Sequence, residues 1–557
     1  MSPNFQRRID AALGKIECDL VIHNVRFLDV FTCEWKEGDV SIVDGAIVGL
    51  ESGLKARRTI EGRHKHLVPG FIDAHVHVES SLLVPHHFER AVLPRGTTTA
   101  ICDPHELTNV MGVDGLRYFL SSAEKLSLDL RVMLSSCVPA TTMETNGGGT
   151  VDADQLVPLL THPNALGLAE MMNVPGVLNA DPAILKKLEA FAGRPIDGHC
   201  PKVSGRELSA YASAGISTCH ESSTLPEALE KLTKGISCWI REGSVAKDLD
   251  ALIPILTLAT STSVGFCTDD RNPLDIATEG HIDHLVRTAI KRGVAPEVAY
   301  RAASWSVARH YGLRQVGAIA PGYRADLVLL DDARTCAIRE VFKAGTPAGE
   351  IRASGVVAAP SKNSVRASLP AARDLKAPAG RVHVIGVEHG SILTDHLILD
   401  SAAPGVARLS VLERHGHGSK PANGYVDGFG AGMRGAIASS VGHDSHNLIA
   451  VGSNEADMSA AMGALIESGG GFCVVQDGAV KARLALPLGG LMSTEDAPSI
   501  ARSLRELHAA SKAIGCELPE PFLQLAFLSL PVIPSLKLTD KGLVDVEKFS
   551  IIDVRAS

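Results

Sequence analysis

The sequence contains no apolar run of the about 18 to 20 residues that a membrane-crossing helix requires. The nearest candidate, residues 522–533, is interrupted by Gln524, Ser529 and Pro531, so we expect it to be buried core. No apolar run follows the charged first residues, and a secretory signal is therefore not expected. These absences predict a protein that does not associate with a membrane.

A disulfide framework is also missing from the sequence. The eleven cysteines are scattered, with no C-x-x-C pair and no regular spacing. An odd number of cysteines in a long chain of this kind is typical of reduced thiols in the cytoplasm. We therefore expect a cytoplasmic protein.

The chain lacks an excess of basic residues. Its formal net charge is −9 and its pI is about 6.2, so nucleic acid and anionic lipid are not expected partners. A composition of 45% hydrophobic and 21% charged residues is ordinary for a folded protein. At 557 residues the chain exceeds one compact core, and a prior of ~150 residues per domain suggests three or four units.

The middle of the chain alternates short apolar runs with helical stretches, from about Leu67 to Tyr311. Strands and helices in alternation imply a parallel sheet built from βαβ units. About eight such units fit into roughly 245 residues, which is a typical size for a (β/α)8 barrel. An open, doubly wound sheet is the rival arrangement.

Two stretches of strand character flank this region. Residues 19–68 alternate apolar and polar side chains with period two and contain an Asp44-Gly45 pair, which is typical of a hairpin turn. Later residues return to the same character, and a linker rich in Pro, Ala and Ser follows at 356–380. We predict one sheet domain formed by 1–68 and 315–370, a barrel at 69–314 that interrupts it, and a further α/β domain at 380–557.

Polar residues stand at the ends of the predicted barrel strands. The carboxyl ends of barrel strands converge on one mouth, so we expect these side chains to meet there. Each one alone has an ordinary alternative as a core histidine, a helix cap or a salt-bridged carboxylate, but their shared position favours a site. The six residues are His75, His77, Glu170, His199, His220 and Asp269.

Four imidazoles and two carboxylates are sufficient for two divalent cations. We expect one cation to be held by His75, His77 and Asp269, the other by His199 and His220, with Glu170 bridging them. Nitrogen and oxygen ligands without thiolate suit Mn, Fe or Zn. A hydroxide bridging the two metals would be the nucleophile, and Asp269 would pass its proton to the leaving group. The residues alone predict hydrolysis of a C–N bond in an amide, an amidine or an amino-heterocycle, without choosing among them.

The segment VPGFIDAHVHVESS resembles the barrel-opening signature of the amidohydrolase superfamily, and GAIAPGYRADLVLLDD resembles the return segment of its flanking sandwich. The match to the bacterial adenine deaminases is closer. The motifs similar to that family are LPRGTTTAICDPHELTNVMG, GLAEMMNVPGV, GHCPKVSG, CHESS, CTDD and ASSVGHDSHNLIAVGSNEADM. The resemblance covers nearly the whole chain from about residue 19.

The resemblance implies a TIM-like (β/α)8 barrel with a flanking composite β-sandwich domain and an additional C-terminal α/β domain. It implies hydrolytic deamination of adenine to hypoxanthine and ammonia, in purine salvage or catabolism, by a homo-oligomer, expected to be a dimer. The binuclear centre of the family favours Mn or Fe, with Zn as a third candidate, and the six residues above are its ligands. Asp103, in ICDPHE, is similar to a family acid placed near the metal-bound water.

A dense polar cluster in HDSHN stands apart in the C-terminal region. We expect this loop to fold over the barrel mouth and help bind the purine through His443, Asp444 and His446. A solvated loop is the alternative interpretation.

Other pocket residues are less well specified by the sequence. Both Glu170 and Glu221 are candidates for protonating N1 of the purine, while His105 and Glu106 are weaker candidates for the same pocket. Two rival functions remain open: an amidohydrolase acting on another aminopurine or cyclic amide, and a metal-stabilised scaffold without catalysis.

Overall fold

A computed structural model describes residues 4–352, 355–360, 364–387, 389–418 and 420–556. It begins with a short helix and five strands that carry the alternation seen in the sequence. Asp44 and Gly45 join two of these strands with φ angles of 49° and 70°, which confirms the predicted hairpin turn. The elements are α1 (Phe5–Ala12), β1 (Cys18–Asp29), β2 (Glu34–Val43), β3 (Ala46–Gly49), β4 (Ala56–Glu61) and β5 (His66–Pro69).

Eight parallel strands follow. They pair in two sheets, ordered β10-β9-β8-β7-β6 and β11-β12-β13. The strands are β6 (Phe71–Val76), β7 (Thr97–Cys102), β8 (Asp129–Leu134), β9 (Ala165–Met171), β10 (Ile196–Gly198), β11 (Thr218–Cys219), β12 (Ser237–Arg241) and β13 (Val264–Cys267).

Backbone hydrogen bonds join the two sheets at both edges. The amide of Ser217 donates to the carbonyl of Ile196 at 3.1 Å, and the amide of Asp269 donates to the carbonyl of His75 at 3.0 Å. The strands therefore form an α/β, TIM-like barrel rather than an open, doubly wound sheet.

Helices cover the outside of the barrel because their apolar faces pack against its strands. In α7, for example, Asp181 caps the first turn, Pro182 occupies the first helical position, and Ile184 and Leu188 are buried. The helices are α2 (Pro85–Val92), α3 (His105–Met111), α4 (Val113–Ala123), α5 (Ala153–Leu156), α6 (Val174–Leu178), α7 (Pro182–Ala190), α8 (Gly205–Ser213), α9 (Leu225–Thr233), α10 (Leu249–Leu252), α11 (Pro273–Thr278), α12 (Ile282–Lys291), α13 (Pro296–Ala302) and α14 (Trp305–His310). Short 3-10 helices span Val78–Ser81, Leu93–Arg95, Val157–Thr161 and Ile253–Ile255.

The chain then returns to the first sheet through β14 (Leu327–Asp332), β15 (Ala337–Lys343) and β16 (Thr346–Pro347). Strand β14 pairs antiparallel with β5, placing Val328 opposite Val68. Strands from both sides of the barrel thus share one eight-stranded sheet, ordered β16-β15-β14-β5-β1-β2-β3, with β4 beside β1. The backbone hydrogen bonds between these strands form one sheet. The two-layer sandwich and the domain boundaries stay predictions.

A buried ion cluster ties this sheet to the barrel. Lys343 donates to Asp326 at 2.8 Å and to the carbonyl of Thr98, in β7, at 2.9 Å. Arg324 contacts Asp326 and also Asp129 of β8, the latter at 2.7 Å. A carboxylate shared by two cations in this way is compensated within the interior.

The predicted linker holds little regular structure. Residues 356–360 and 364–380 contain only the 3-10 turn Ala372–Leu375, which comes after another at Ala348–Glu350, while 361–363 lie outside the described residues.

The C-terminal region is built on an eight-stranded, largely antiparallel sheet, ordered β18-β17-β20-β19-β22-β21-β23-β24, with a separate three-stranded sheet β25-β26-β27. The strands are β17 (Arg381–Val387), β18 (Thr394–Asp400), β19 (Ala407–Leu412), β20 (Ala422–Asp427), β21 (Ala436–Ser439), β22 (Leu448–Gly452), β23 (Gly471–Gln476), β24 (Ala479–Ala485), β25 (Leu536–Thr539), β26 (Gly542–Asp545) and β27 (Ser550–Ile552). The helices are α15 (Glu455–Ser468), α16 (Ala497–Ala513) and α17 (Pro521–Ala526), followed by the 3-10 turn Phe527–Ser529.

One hydrophobic core joins the C-terminal region to the barrel. Leu107 and Leu134 of the barrel belong to the same buried cluster as Leu409, Phe429 and Leu525 of the C-terminal region. Helix α16 also packs against α11 of the barrel. The C-terminal region is therefore fixed on the barrel by continuous apolar contact. None of the described helices has both the length and the apolar character needed to cross a membrane.

We expect Asp326→Asn to lower the free energy of unfolding by about 3 kcal/mol, because Lys343 and Arg324 would lose the charge that compensates them. Urea unfolding followed by circular dichroism measures this change. Asp331→Asn is the control, since the carboxylate of Asp331 is half exposed in its ion pair with Lys65 and should contribute little to stability. Equal effects of the two substitutions would contradict the buried cluster.

Candidate active site

Six side chains meet at the carboxyl ends of the barrel strands, and all of them are buried. The convergence follows from the barrel geometry, which brings the ends of separated strands to one mouth. His75 lies in β6 and His77 just after it, and Glu170 lies in β9. His199 and His220 directly follow β10 and β11, and Asp269 stands two residues after the end of β13.

The first group consists of His75, His77 and Asp269. The two Nε2 atoms of the histidines are 3.3 Å apart. The Oδ1 atom of Asp269 lies 3.4 Å from each of them. Three ligand atoms therefore face one small space.

The second group consists of Glu170, His199 and His220. Glu170 Oε2 lies 2.7 Å from His199 Nδ1 and 3.4 Å from His220 Nε2. The other oxygen, Oε1, lies 3.3 Å from His77 Nε2 of the first group. The carboxylate of Glu170 thus stands between the two groups, with one oxygen toward each.

These distances fit a pair of divalent cations. Nitrogen and oxygen ligands at about 2.1 Å from a tetrahedral cation are about 3.4 Å from one another. Most of the separations in the two groups are 3.3 or 3.4 Å, and the ligand atoms of each triplet lie within 4.8 Å of one another. The donor set of four imidazoles and two carboxylates is one that binds Mn, Fe or Zn.

Contacts behind the ligands fix their orientation. His77 Nδ1 donates to the carbonyl of Asp103 at 3.0 Å, so Nε2 is the nitrogen directed toward the first group. The buried carboxylate of Asp73 accepts a hydrogen bond from the amide of Thr268 at 3.1 Å, directly before Asp269. Asp269 itself has a φ of 53°, so its side chain turns back toward β6.

Arg241 is a residue of the site that the sequence analysis did not identify. It ends β12, a barrel strand that supplied none of the six predicted ligands. Its guanidinium contacts Glu221 and lies 3.2 Å from Asp269 Oδ2, while its Nε donates to Asp248 at 3.0 Å. The signal was present as an arginine ending the apolar run of ISCWIR, by the same rule that located the ligands.

Glu221 lies beside the second group, and its Oε1 is 3.4 Å from His220 Nε2. Burial tends to raise the pKa of Glu221, but Arg241 and the two neighbouring histidines outweigh burial and lower that pKa. Glu221 is therefore a carboxylate at neutral pH and acts as a hydrogen-bond acceptor.

Asp103 is fully buried behind the ligands. Its Oδ1 accepts a hydrogen bond from Ser135 at 3.2 Å, and its Oδ2 lies 3.5 Å from His105 Nδ1. Ligand atoms of Asp103, His105 and Glu170 lie within 4.8 Å of one another. Asp103 is thus close to Glu170 but is not among the described residues that line the pocket.

Asp270, next to a ligand, is a further residue that sequence reasoning did not assign. One of its carboxylate oxygens lies within 4.8 Å of ligand atoms of His77 and Asp269, and Asp270 also lines the pocket. Burial and the charge of Asp269 raise the pKa of Asp270 to about 6.

The loop at 443–447 is buried, which excludes the solvated alternative. His443 and Asp444 line the same pocket as the ligands, whereas His446 is buried against Glu106. The C-terminal region adds an apolar wall to this pocket, formed by Ile392, Phe527, Leu530 and Ile533. The pocket is therefore polar at the barrel and apolar at the C-terminal side.

Comparisons with known proteins agree with this arrangement. A model of the amidohydrolase family matches residues 66–353, and a model of the adenine deaminase C-terminal domain matches residues 387–550. The chain is 51% identical to the adenine deaminase of Methylobacterium sp. (strain 4-46), over 99% of this chain and 100% of the relative. It is also 51% identical to the adenine deaminase of Cereibacter sphaeroides (strain ATCC 17025 / ATH 2.4.3), over 98% of both chains.

Among solved structures, the N-acetyl-D-glucosamine-6-phosphate deacetylase of Mycobacterium smegmatis is 18% identical, with a TM-score of 0.45, over 59% of this chain and 99% of that one.

Metal binding to this site should release protons. Burial lowers the pKa of His220, but Glu170 and Asp269 outweigh it and raise that pKa to about 9 in the metal-free protein. His220 is therefore protonated at pH 7, and a cation must displace that proton. We expect the affinity for Mn²⁺ to rise with pH from 6 toward 9, by about tenfold per pH unit for each proton displaced.

Calorimetric titration of the metal-free protein with Mn²⁺, repeated in buffers of different ionisation enthalpy, measures the protons released. His508→Ala is a control, because His508 lies in α16 outside the two groups and its loss should leave proton release unchanged. An affinity that is constant between pH 6 and 8 would contradict this assignment.

Proposed function

Because this chain belongs to the adenine deaminases of the amidohydrolase family, we propose that it hydrolyses the exocyclic C–N bond of adenine. Water adds at C6, the bond from C6 to the amino nitrogen breaks, and hypoxanthine and ammonia leave. The observation that carries this proposal is the position of Glu170, with one carboxylate oxygen toward each of two ligand groups at the barrel mouth.

In this proposal His75, His77 and Asp269 would hold one cation and His199 and His220 the other, with Glu170 as a ligand shared by both. The donor set favours Mn or Fe, with Zn as the alternative. Bound cations would lower the pKa of a water shared between them and so supply the nucleophile at neutral pH.

Asp269 is the proposed proton carrier. Its Oδ1 faces His75 and His77, while its Oδ2 is held by Arg241 at 3.2 Å. An oriented carboxylate at this place accepts the proton of the attacking water and transfers it to the departing amino nitrogen. Arg241 fixes the side chain in the orientation that both transfers need.

We propose that Glu170, which lies between the two ligand groups, relays a proton from the attacking water to N1. The carboxylate of Glu221 is held by Arg241, and we propose that it accepts a hydrogen bond from the substrate. Asp103 and His105 lie beside Glu170 and are placed to adjust its proton affinity. Glu170 therefore has two proposed roles, as bridging ligand and as proton relay.

The C-terminal region would enclose the purine. Phe527, Leu530 and Ile533 present apolar surface opposite the ligands, and His443 and Asp444 add polar groups at the same wall. Exclusion of water strengthens the electrostatic interactions inside the pocket and protects the reaction from bulk solvent. We further propose a cytoplasmic homodimer that acts in purine salvage or catabolism, a location supported by eleven free cysteines.

The metal-loaded protein should convert adenine to hypoxanthine and ammonia, and chelation should abolish this activity until Mn²⁺ or Fe²⁺ is restored. Coupled detection of ammonia, with chromatography of the base, measures both products. Release of ammonia only from another aminopurine, or ring opening of a cyclic amide without turnover of adenine, would replace adenine as the substrate. No turnover of any such compound by the loaded protein would support a scaffold instead.

Asp269→Asn should reduce kcat on adenine by about 10²- to 10⁴-fold, because the amide cannot carry the proton. Steady-state kinetics at fixed metal occupancy measures the loss, and metal analysis of the variant verifies that occupancy. Asp250→Asn serves as the control, since Asp250 pairs with Arg292 on the surface. Unchanged kcat in Asp269→Asn would remove Asp269 from the mechanism.

A variant with both His443→Ala and His446→Ala should raise KM for adenine by about tenfold, equivalent to about 1.4 kcal/mol of lost binding. The reason is that His443 would no longer present a polar group to the substrate. Initial rates across a range of adenine concentrations measure KM and kcat separately. Retention of the wild-type kcat/KM would show that the loop does not contribute to substrate binding.

A further inference from the structure

Glu106 connects the barrel to the loop at 443–447. It lies in the first turn of α3 and is almost completely buried. Its Oε1 is 3.1 Å from His443 Nδ1, and its Oε2 contacts His446 Nε2. One carboxylate from the barrel thus holds two imidazoles from the C-terminal region, with one oxygen for each.

The surroundings of His446 fix its tautomer. The amide of Gly442 donates to His446 Nδ1 at 3.3 Å, so that nitrogen is an acceptor and Nε2 carries the proton. His446 therefore donates to Glu106. Its ring is fully buried and does not line the pocket among the described residues.

His443 is oriented differently. Its Nδ1 faces Glu106, its ring stacks on Phe527 with centroids 4.8 Å apart, and it lines the pocket. Its Nε2 is buried and has no hydrogen-bond partner in the described part of the chain. A buried polar nitrogen without a partner is costly unless a ligand satisfies it. The free edge of His443 is therefore available to a polar group of the substrate.

The loop is also anchored from its own side. Arg414 contacts the carbonyl of His446, and His415 donates to the carbonyl of Ser445 at 2.8 Å. Asn447 donates to the barrel carbonyl of Thr145 at 2.9 Å. These contacts hold the backbone of the loop, whereas Glu106 is the group that holds its imidazole side chains.

We propose that Glu106 is a positioning residue, which orients His443 so that Nε2 faces the substrate ring and so makes the C-terminal region part of the binding pocket. This inference rests on the proposed function, because it requires a purine in that pocket. Glu106 would not bind the cations, since both of its oxygens are engaged by His443 and His446. Its loss should therefore act on substrate binding, through His443, and not on metal content.

Glu106→Gln is the primary test, because glutamine keeps the shape but offers only one acceptor oxygen to two imidazoles. We expect KM for adenine to rise about tenfold, with kcat changed by less than about threefold and metal content unchanged. Asp326→Asn is the matched control: it also removes a buried carboxylate between two charged partners, but in the sheet junction, and should leave KM unchanged.

A double-mutant cycle separates positioning from a general structural effect. If Glu106 acts through His443, the variant with Glu106→Gln and His443→Ala should have a KM within about twofold of His443→Ala alone. A KM in the double variant that is raised by the product of the two single-variant factors would overturn the inference. A wild-type KM in Glu106→Gln would overturn it as well.

Should Glu106→Gln fail to fold, Glu106→Asp carries the same test. Its carboxylate is retained but set back by one methylene, so we expect KM to rise. In a His443→Ala background, Glu106→Asp should cause no further rise in KM. Wild-type protein that does not deaminate adenine would remove the proposed function itself. Normal wild-type turnover, with no KM change in any Glu106 variant, would contradict only the role of Glu106.

Discussion

The carboxylate of Glu170 is the constraint on which the site depends. It lies within the interior, between His77 on one side and His199 and His220 on the other. A buried carboxylate is stable only when cations or hydrogen bonds compensate it, and the described ion-pair contacts of Glu170 are all with imidazoles. In the metal-free protein, burial raises the pKa of Glu170, but the surrounding histidines outweigh it and hold the pKa well below its usual range.

The barrel holds the ligands of the site in fixed positions. The six ligands come from five strands, and the strands are fixed relative to one another by backbone hydrogen bonds and by buried carboxylates. Asp73 ties the first strand to Thr268, and Asp197 accepts hydrogen bonds from Thr218 and Tyr311 at 2.8 and 2.9 Å. Burial raises the pKa of both Asp73 and Asp197 to about 7. The C-terminal region closes the same pocket from the opposite side, over a hydrophobic core shared with the barrel.

Much of this could be predicted from the sequence, because strand ends in a barrel are a geometric constraint that local patterns reveal. The histidines of FIDAHVH and the acid of CTDD were located in this way, and the structure brings all six such residues together. Arg241 was missed because arginine is not a metal ligand, so the end of β12 did not join the pattern of histidines and carboxylates. The contact of Glu106 with His446 could not be predicted, since it joins residues 340 positions apart and spacing carries no information at that separation. One sheet domain formed by the two flanking stretches was predicted, but the order of its strands could not be, because it depends on long-range register that the alternation of side chains does not specify.

The most direct test of the account is the metal content of Glu170→Gln compared with wild type, measured by mass spectrometry after reconstitution with excess Mn²⁺ and removal of free ions. The account predicts two ions per chain in the wild type and one or fewer in the variant, because the bridging oxygens would no longer serve both ligand groups. Two tightly held ions in the variant, or none in the wild type, would contradict it.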